Sequence, residues 1–188
     1  MIPVASAKVL KGSYVEQQNR SGQPLIDYER GGLALGQATS NLTEALWTAQ
    51  YIDGSVVVFR DNVPPVIILT EPGITQIALA FDQSMQAHIA YMVGNVCKFY
   101  YYSTLENGMR TMEIPGATNP RLCLDEKRSP FSGRADILLS YKKGTDLVVR
   151  VQRERYGVEY VLASNLPGDL LSVGLNSVNR LQWNLRRS

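Results

Sequence analysis

Ile74-Thr-Gln-Ile-Ala-Leu-Ala-Phe-Asp-Gln-Ser-Met-Gln-Ala-His-Ile-Ala-Tyr-Met-Val-Gly-Asn-Val-Cys-Lys-Phe-Tyr-Tyr-Tyr102 decides the fold. Its apolar residues fall into three short runs, Ile74–Phe81, His88–Met92 and Val96–Tyr102, parted by Asp82-Gln83-Ser84 and Gly94-Asn95. Runs of this length, bounded by turn formers and carrying β-branched and aromatic residues, read as strands. In the first run Ile77, Leu79 and Phe81 share one face while the small Ala78 and Ala80 share the other. Successive strand side chains point to opposite faces, so neither face of this strand is polar. Both must be covered, which predicts stacked sheets.

The same text continues on either side. Asp53-Gly54 is a hairpin turn leading into Ser55–Arg60; Asp61-Asn62 and Pro64-Pro65 break that strand before Val66–Leu69, and Pro72-Gly73 makes the next turn. Toward the C-terminus, Ala135–Tyr141, Leu147–Gln152 and Gly157–Leu162 read as strands, and Leu170–Leu175 with Asn179–Leu185 as a last pair across Asn176-Ser177. Overlaying residues 75–102 on 134–160 gives two blade-like units of strand, turn, strand, turn, strand. The fold class is therefore all-β: antiparallel meanders forming a β-sandwich or a partial propeller-like body. Residues 1–32 read as an extended N-terminal arm or edge segment ending in a Gly31-Gly32 hinge, and residues 33–188 as a single β domain. The arm either reaches a neighbouring subunit or packs back on its own domain. Residues 33–49 are ambiguous: Asn41 followed by Glu44 fits a capping box and allows one short helix there, while Trp47–Ile52 reads better as strand. Residues 103–133, punctuated by Gly108, Pro115, Gly116, Pro120, Pro130 and Gly133, read as a long projecting loop.

Composition narrows the functional classes. The chain has 188 residues, 45% hydrophobic and only 19% charged, with ten tyrosines and a single histidine. That charge fraction is low for a soluble domain and suits a surface partly hidden against partners. Residues 1–126 carry a net charge of −4 and residues 127–188 a net of +6, a division that favours head-to-tail packing of copies if the halves face different neighbours. No apolar run is long enough for a membrane span, and the N-terminus lacks the pattern of a secretory signal. Cys97 and Cys123 have no metal-site spacing and read as buried free thiols, with a single disulfide between them as the alternative.

The inventory for catalysis is thin. His88 stands alone, and no Gly-x-Ser-x-Gly elbow or phosphate-binding glycine loop occurs. His88 reads as a packed residue or a turn-edge hydrogen bonder, and Asp82 as ordinary turn chemistry. Other acids near strand ends, Asp125, Asp136, Asp146 and Glu154, show no pairing that sequence can reveal. We expect no enzyme, no cofactor and no metal. Interface candidates are the aromatic run Tyr100, Tyr101 and Tyr102 and the basic groups Arg150, Arg153, Arg155, Arg180, Arg186 and Arg187. On a strand, Arg153 and Arg155 would share a face opposite Arg150. These arginines have three possible uses: a solvated face, ion pairs with a neighbouring copy, or nucleic-acid phosphates, the last disfavoured by the acidic half.

Ile77–Tyr91 followed by Cys97–Tyr102, Asp136–Tyr141 with Leu147–Tyr156, and the ending Gly174–Gln182 together resemble repeats in structural proteins of tailed bacteriophages. The resemblance covers residues 45–186. It implies a virion protein assembled in the bacterial host cytoplasm as a homo-oligomer with other virion proteins as partners. Its place would be the tail, the collar or the fibre-attachment region. A glycan-binding receptor module, using the tyrosines on a host glycan, and a capsid decoration protein are the alternative roles.

Overall fold

A computed structural model describes residues 31–38, 43–60, 63–82, 86–124, 136–175 and 181–186. They form fourteen strands and one 3-10 turn. The first sheet is the meander β1 (Gly31–Ala38), β2 (Thr43–Ile52), β3 (Ser55–Arg60) and β4 (Val63–Thr70). The second is β5 (Ile74–Phe81), β6 (Ala87–Val93), β7 (Val96–Ser103) and β8 (Gly108–Ile114). The third is β9 (Ala117–Leu124), β10 (Ile137–Lys143), β11 (Asp146–Val151) and β12 (Tyr160–Ala163). A two-stranded hairpin follows, β13 (Asp169–Leu175) with β14 (Leu181–Arg186). All pairings are antiparallel. The sheets pack in chain order, and their first strands lie beside one another: β1 against β5, β5 against β9, β9 against β13.

One apolar cluster fills each gap between successive sheets. Ala49, Val56 and Val58 of the first sheet meet Ile74, Ile77, Leu79, Phe81, Ile89 and Tyr91 of the second. The opposite face of the second sheet, with Ala78, Ala80, Ala90 and Phe99, meets Leu122, Ile137, Leu139, Tyr141 and Tyr156. Cys123 and Leu147 of the third sheet pack against Leu170 and Val173 of the hairpin. The large and small faces of β5 are thus both buried, as their alternation requires. Cys97 and Cys123 are buried free thiols, and burial pushes the Cys97 thiol up to about 12.

The hairpin turns follow their chemistry: Asp53 and Gly54 both have positive φ, 47° and 81°, as a two-residue turn closing at Ile52 and Ser55 demands. Elsewhere the structure corrects the sequence reading. Residues 31–38 and 43–52 are strands, so no helix occupies the described part of 33–49, and Gly31-Gly32 opens β1 instead of hinging before it. Pro64-Pro65 lie inside β4. They are tolerated because β4 is the outer edge of its sheet and its register slips between Val58 and Arg60. The stretch 103–133 is not one long loop, because β8 and β9 occupy 108–114 and 117–124 with Pro115-Gly116 as the tight turn between two sheets. Pro120 fits β9 beside a bulge, where Asn119 takes φ 51°. β11 ends at Val151, and Gln152–Glu154 form a 3-10 turn, so Arg153 and Arg155 do not alternate along a strand. The two blade-like units fall within the second and third sheets, but β5 is the first strand of its sheet and β10 the second. Residues 1–30, Arg180 and Arg187 lie outside the described residues.

Burial assigns different weights to two similar side chains. Leu79→Ala, in a fully buried site, should cost about 2–5 kcal/mol in denaturant unfolding. Ile67→Ala, at 64% exposure, should change the midpoint little, by about 0.5 kcal/mol or less.

Candidate functional site

The densest polar cluster is buried between the second and third sheets. Asp82 caps the end of β5: its Oδ1 accepts the Gln86 backbone N–H at 2.9 Å, and its own N–H donates to the Gln86 carbonyl. His88, on the small-residue face of β6 opposite Ala80, is completely buried. Its Nε2 lies 3.4 Å from Asp82 Oδ2, and its Nδ1 lies 3.0 Å from the hydroxyl of Tyr156. With a carboxylate on one side, Nε2 carries the proton and Nδ1 accepts from the tyrosine. Gln152 donates to Asp82 at 3.4 Å and accepts the Ile137 N–H at 3.0 Å, completing a bridge from β5 to β10.

Aromatic rings pack around this bridge. Phe99 and Tyr101 stack at 5.2 Å, and Tyr156 meets them edge-on at 4.6 and 5.3 Å. Tyr156 is brought there by two successive left-handed residues, Arg155 (φ 55°) and itself (φ 57°), after the 3-10 turn. Such backbone persists in non-glycine residues only where the surroundings hold it. Burial lowers the pKa of His88, with the Asp82 carboxylate opposing, and raises that of Tyr156 well above its ordinary value. A Tyr–His–Asp chain has the outline of a proton relay. All three side chains are shielded from solvent, and the arrangement ties two sheets together.

A second polar device recurs in both central sheets. Tyr91 donates to Glu71 at 2.7 Å, and Lys98 pairs with the same carboxylate. Tyr141 donates to Glu159 at 2.7 Å, and Arg150 and Lys143 pair with that one. Lys143, Tyr141 and Arg150 hold the Glu159 carboxyl down to about 2.

The sequence-derived candidates separate into different roles. Tyr100 packs toward the first sheet and Tyr101 toward the third, so the aromatic run covers both faces of β7. Tyr102 donates to Asn107. Arg150 is spent internally, on Tyr141, the Tyr156 carbonyl and Glu159. Arg153 lies 3.6 Å from Asp136 and Arg186 3.3 Å from Asp169, both on the surface, where such pairs contribute little. Arg155 is exposed, makes no ion pair among the described residues and borders a small cleft with Tyr101, Tyr102, Thr104, Gln152 and Tyr156. A larger apolar groove of about 400 Å³ lies between the first two sheets, lined by Val58, Val66, Ile67, Phe81, Tyr100 and Met109. No family model, curated protein or solved structure matches the chain. Among the described residues no group of His, Cys, Asp or Glu could hold a metal ion, and no helix is long and apolar enough to cross a membrane.

What sequence reasoning missed is the tie itself: His88 and Tyr156 stand 68 residues apart, and nothing local marks them as partners. Their geometry sets a pH dependence. An unfolded histidine takes up a proton as pH falls below about 6.5, while the folded His88 resists it. Its stabilisation is full above that pH and is lost as pH falls toward the lowered folded value. His88→Phe should flatten this limb of a stability–pH profile. Glu159→Gln should flatten a separate limb between about pH 4.5 and 2, since its depressed carboxyl stabilises only while ionised. Tyr156→Phe, which leaves Nδ1 without a donor, should cost about 1–3 kcal/mol by thermal or denaturant unfolding.

Proposed function

We propose that this protein is a structural component of a tailed-bacteriophage particle, acting by subunit–subunit assembly in the tail, collar or fibre-attachment region and catalysing nothing. The observation that carries the assembly reading is the outer edge of the third sheet. Val158, Tyr160, Val161 and Leu162, in and just before β12, are all exposed, Val161 to 59%. On β4, the outer strand of the first sheet, Val66 and Ile67 are exposed as well. Apolar residues concentrated on strand edges promote association, and proteins that work alone blunt such edges. The phage address rests on the resemblance of Ile77–Tyr91 with Cys97–Tyr102, Asp136–Tyr141 with Leu147–Tyr156, and Gly174–Gln182 to virion repeats. The successive adjacency of β1, β5, β9 and β13 supports a partial propeller-like body as the finer arrangement.

A glycan-binding module is the second reading, favoured by the cleft where Tyr101 and Tyr102 stand beside Arg155, which has no ion pair among the described residues. Aromatic faces with a nearby guanidinium suit a sugar bearing an acidic group.

Mass spectrometry of purified particles from producing cells should find the chain at a fixed copy number. Val161→Asp should lower its incorporation several-fold while thermal unfolding stays cooperative. Absence from particles sinks the reading, and glycan-array binding abolished by Arg155→Ala would transfer support to the second.

A further inference from the structure

We infer that residues 153–158 form an acid-released flap, latched over His88 by the Tyr156 side chain. The flap runs between two fixed points. Before it, the Gln152 side chain bonds both Asp82 and the Ile137 N–H. After it, Glu159 is gripped by Tyr141, Lys143 and Arg150. Between these points Tyr156 is the one buried residue, while Arg153, Arg155, Gly157 and Val158 are exposed and Glu154 is half-buried. The 3-10 turn has no side-chain cap, and short-range backbone bonds close it, from the N–H groups of Arg155, Tyr156 and Gly157 to the carbonyls of Gln152, Val151 and Glu154. Three further bonds hold the flap down: the Arg153 N–H on Asp136, Arg150 on the Tyr156 carbonyl, and Tyr160 on Glu154.

Closure is strained. Arg155 and Tyr156 are both left-handed, a conformation that non-glycine residues keep only under outside restraint. Oε2 of Glu154 is buried without a partner, a cost that opening removes. What opposes the strain is the Tyr156 hydroxyl on His88 Nδ1 at 3.0 Å, with the tyrosine ring edge-on to Phe99 and Tyr101. A second proton on the imidazole goes to Nδ1, where that hydroxyl donates. The hydroxyl must then turn from donor to acceptor, and its hydrogen has no other partner among the described residues. The titratable and charged groups facing the imidazole are Asp82 from β5, Tyr101 from β7 and Tyr156 from the flap, with Asp136 and its partner Arg153 farther out. Among these groups the imidazole is the one that ordinarily titrates near neutral pH. Lifting the flap uncovers it through the small cleft that Tyr101, Gln152, Arg155 and Tyr156 already border, so the open form takes up the proton more readily than the closed one. Acid therefore favours opening, by about tenfold per pH unit from about 6.5 down to the folded value. The Glu159 carboxyl, held down to about 2, keeps the far end fixed through that window.

Opening bares Tyr101 and Tyr156 next to the exposed Val158 and Tyr160, which enlarges the apolar edge at β12. That consequence rests on the assembly proposal, whereas the latch does not, and the two are tested separately. Hydrogen exchange of the purified full chain, read by mass spectrometry at pH 7.5 and 5.0 and corrected for the intrinsic effect of pH, reports the latch alone. The amides of Arg155, Tyr156 and Gly157 should lose protection about tenfold per pH unit below about 6.5, while those of β6 and β10 keep theirs. His88→Gln, which cannot titrate, should remove this pH dependence. Tyr156→Phe, which removes the latch hydroxyl, should speed exchange of the same three amides at pH 7.5 about tenfold and leave β10 protected. Equal protection of the flap at both pH values, loss of protection in β6 and β10 in step with it, or an unchanged pH dependence in His88→Gln would overturn the inference. None of these outcomes bears on whether the chain is found in particles.

Discussion

The packing of the whole chain depends on the division of β5 and β6 into a large and a small face. Ala78 lies directly across from Ala90, and Ala80 across from His88, whereas Ile77 faces Tyr91 and Leu79 faces Ile89. Ala78, Ala80 and Ala90 make a shallow floor on which Phe99, Tyr141 and Tyr156 can sit close to the sheet. The larger residues fill the gap toward the first sheet. One strand pair thus serves as the shared wall of two cores, and a sheet buried on both faces leaves little room for polar side chains. A larger residue at Ala78 or Ala90 would push the second and third sheets apart, since close-packed interiors do not absorb added methylenes freely.

Into that small-residue floor the chain inserts one polar group, His88, and satisfies both of its nitrogens. The desolvation cost of an imidazole is offset only if each nitrogen finds a partner, and Asp82 and Tyr156 come from opposite sides of the interface. Apolar packing alone would tolerate sliding of one sheet over the other. A fixed pair of hydrogen bonds does not, so this cluster sets the register between the two central sheets. The tyrosine–glutamate–cation groupings around Glu71 and Glu159 act near the periphery, fastening segments that enter the sheets to strands already in place.

Much of this was legible in the sequence where the information is local. Asp53-Gly54 and Gly94-Asn95 mark hairpins because two-residue turns need backbone that those residues adopt readily, and the Ile77–Phe81 alternation marks two-sided burial without any partner being known. The reading failed where one residue type serves two purposes. Pro64-Pro65 and Pro120 looked like strand breaks because proline cannot donate to a ladder, but on the outer strand β4 no donation is needed, and in β9 Pro120 sits at a bulge. Gly31-Gly32 and the Asn41–Glu44 spacing misled in a similar way, since weak local preferences yield to strand pairing. Arg150 stands among the interface candidates because the sequence gives it no partner within its own strand. The left-handed turn at Arg155-Tyr156 instead folds the chain back so that Arg150 meets the Tyr156 carbonyl. Long-range partnership of that kind leaves no local trace.

A body made of meanders laid side by side raises a problem that closed barrels do not have, because each sheet ends in an outer strand with unspent backbone groups. In this chain the outer strands are treated differently from one another. β8 carries Arg110 and Glu113, β4 carries proline, β12 is short yet apolar, and β14 is regular. Uniform protection would be expected of a protein that works alone, because every open edge carries the same aggregation hazard. Protection that varies from edge to edge is what the assembly proposal requires, with some edges shut and others available. Availability at selected edges is the physical requirement for building an ordered assembly, because it limits the number of directions in which copies can add. The assembly proposal therefore draws its support from the edges of the sheets.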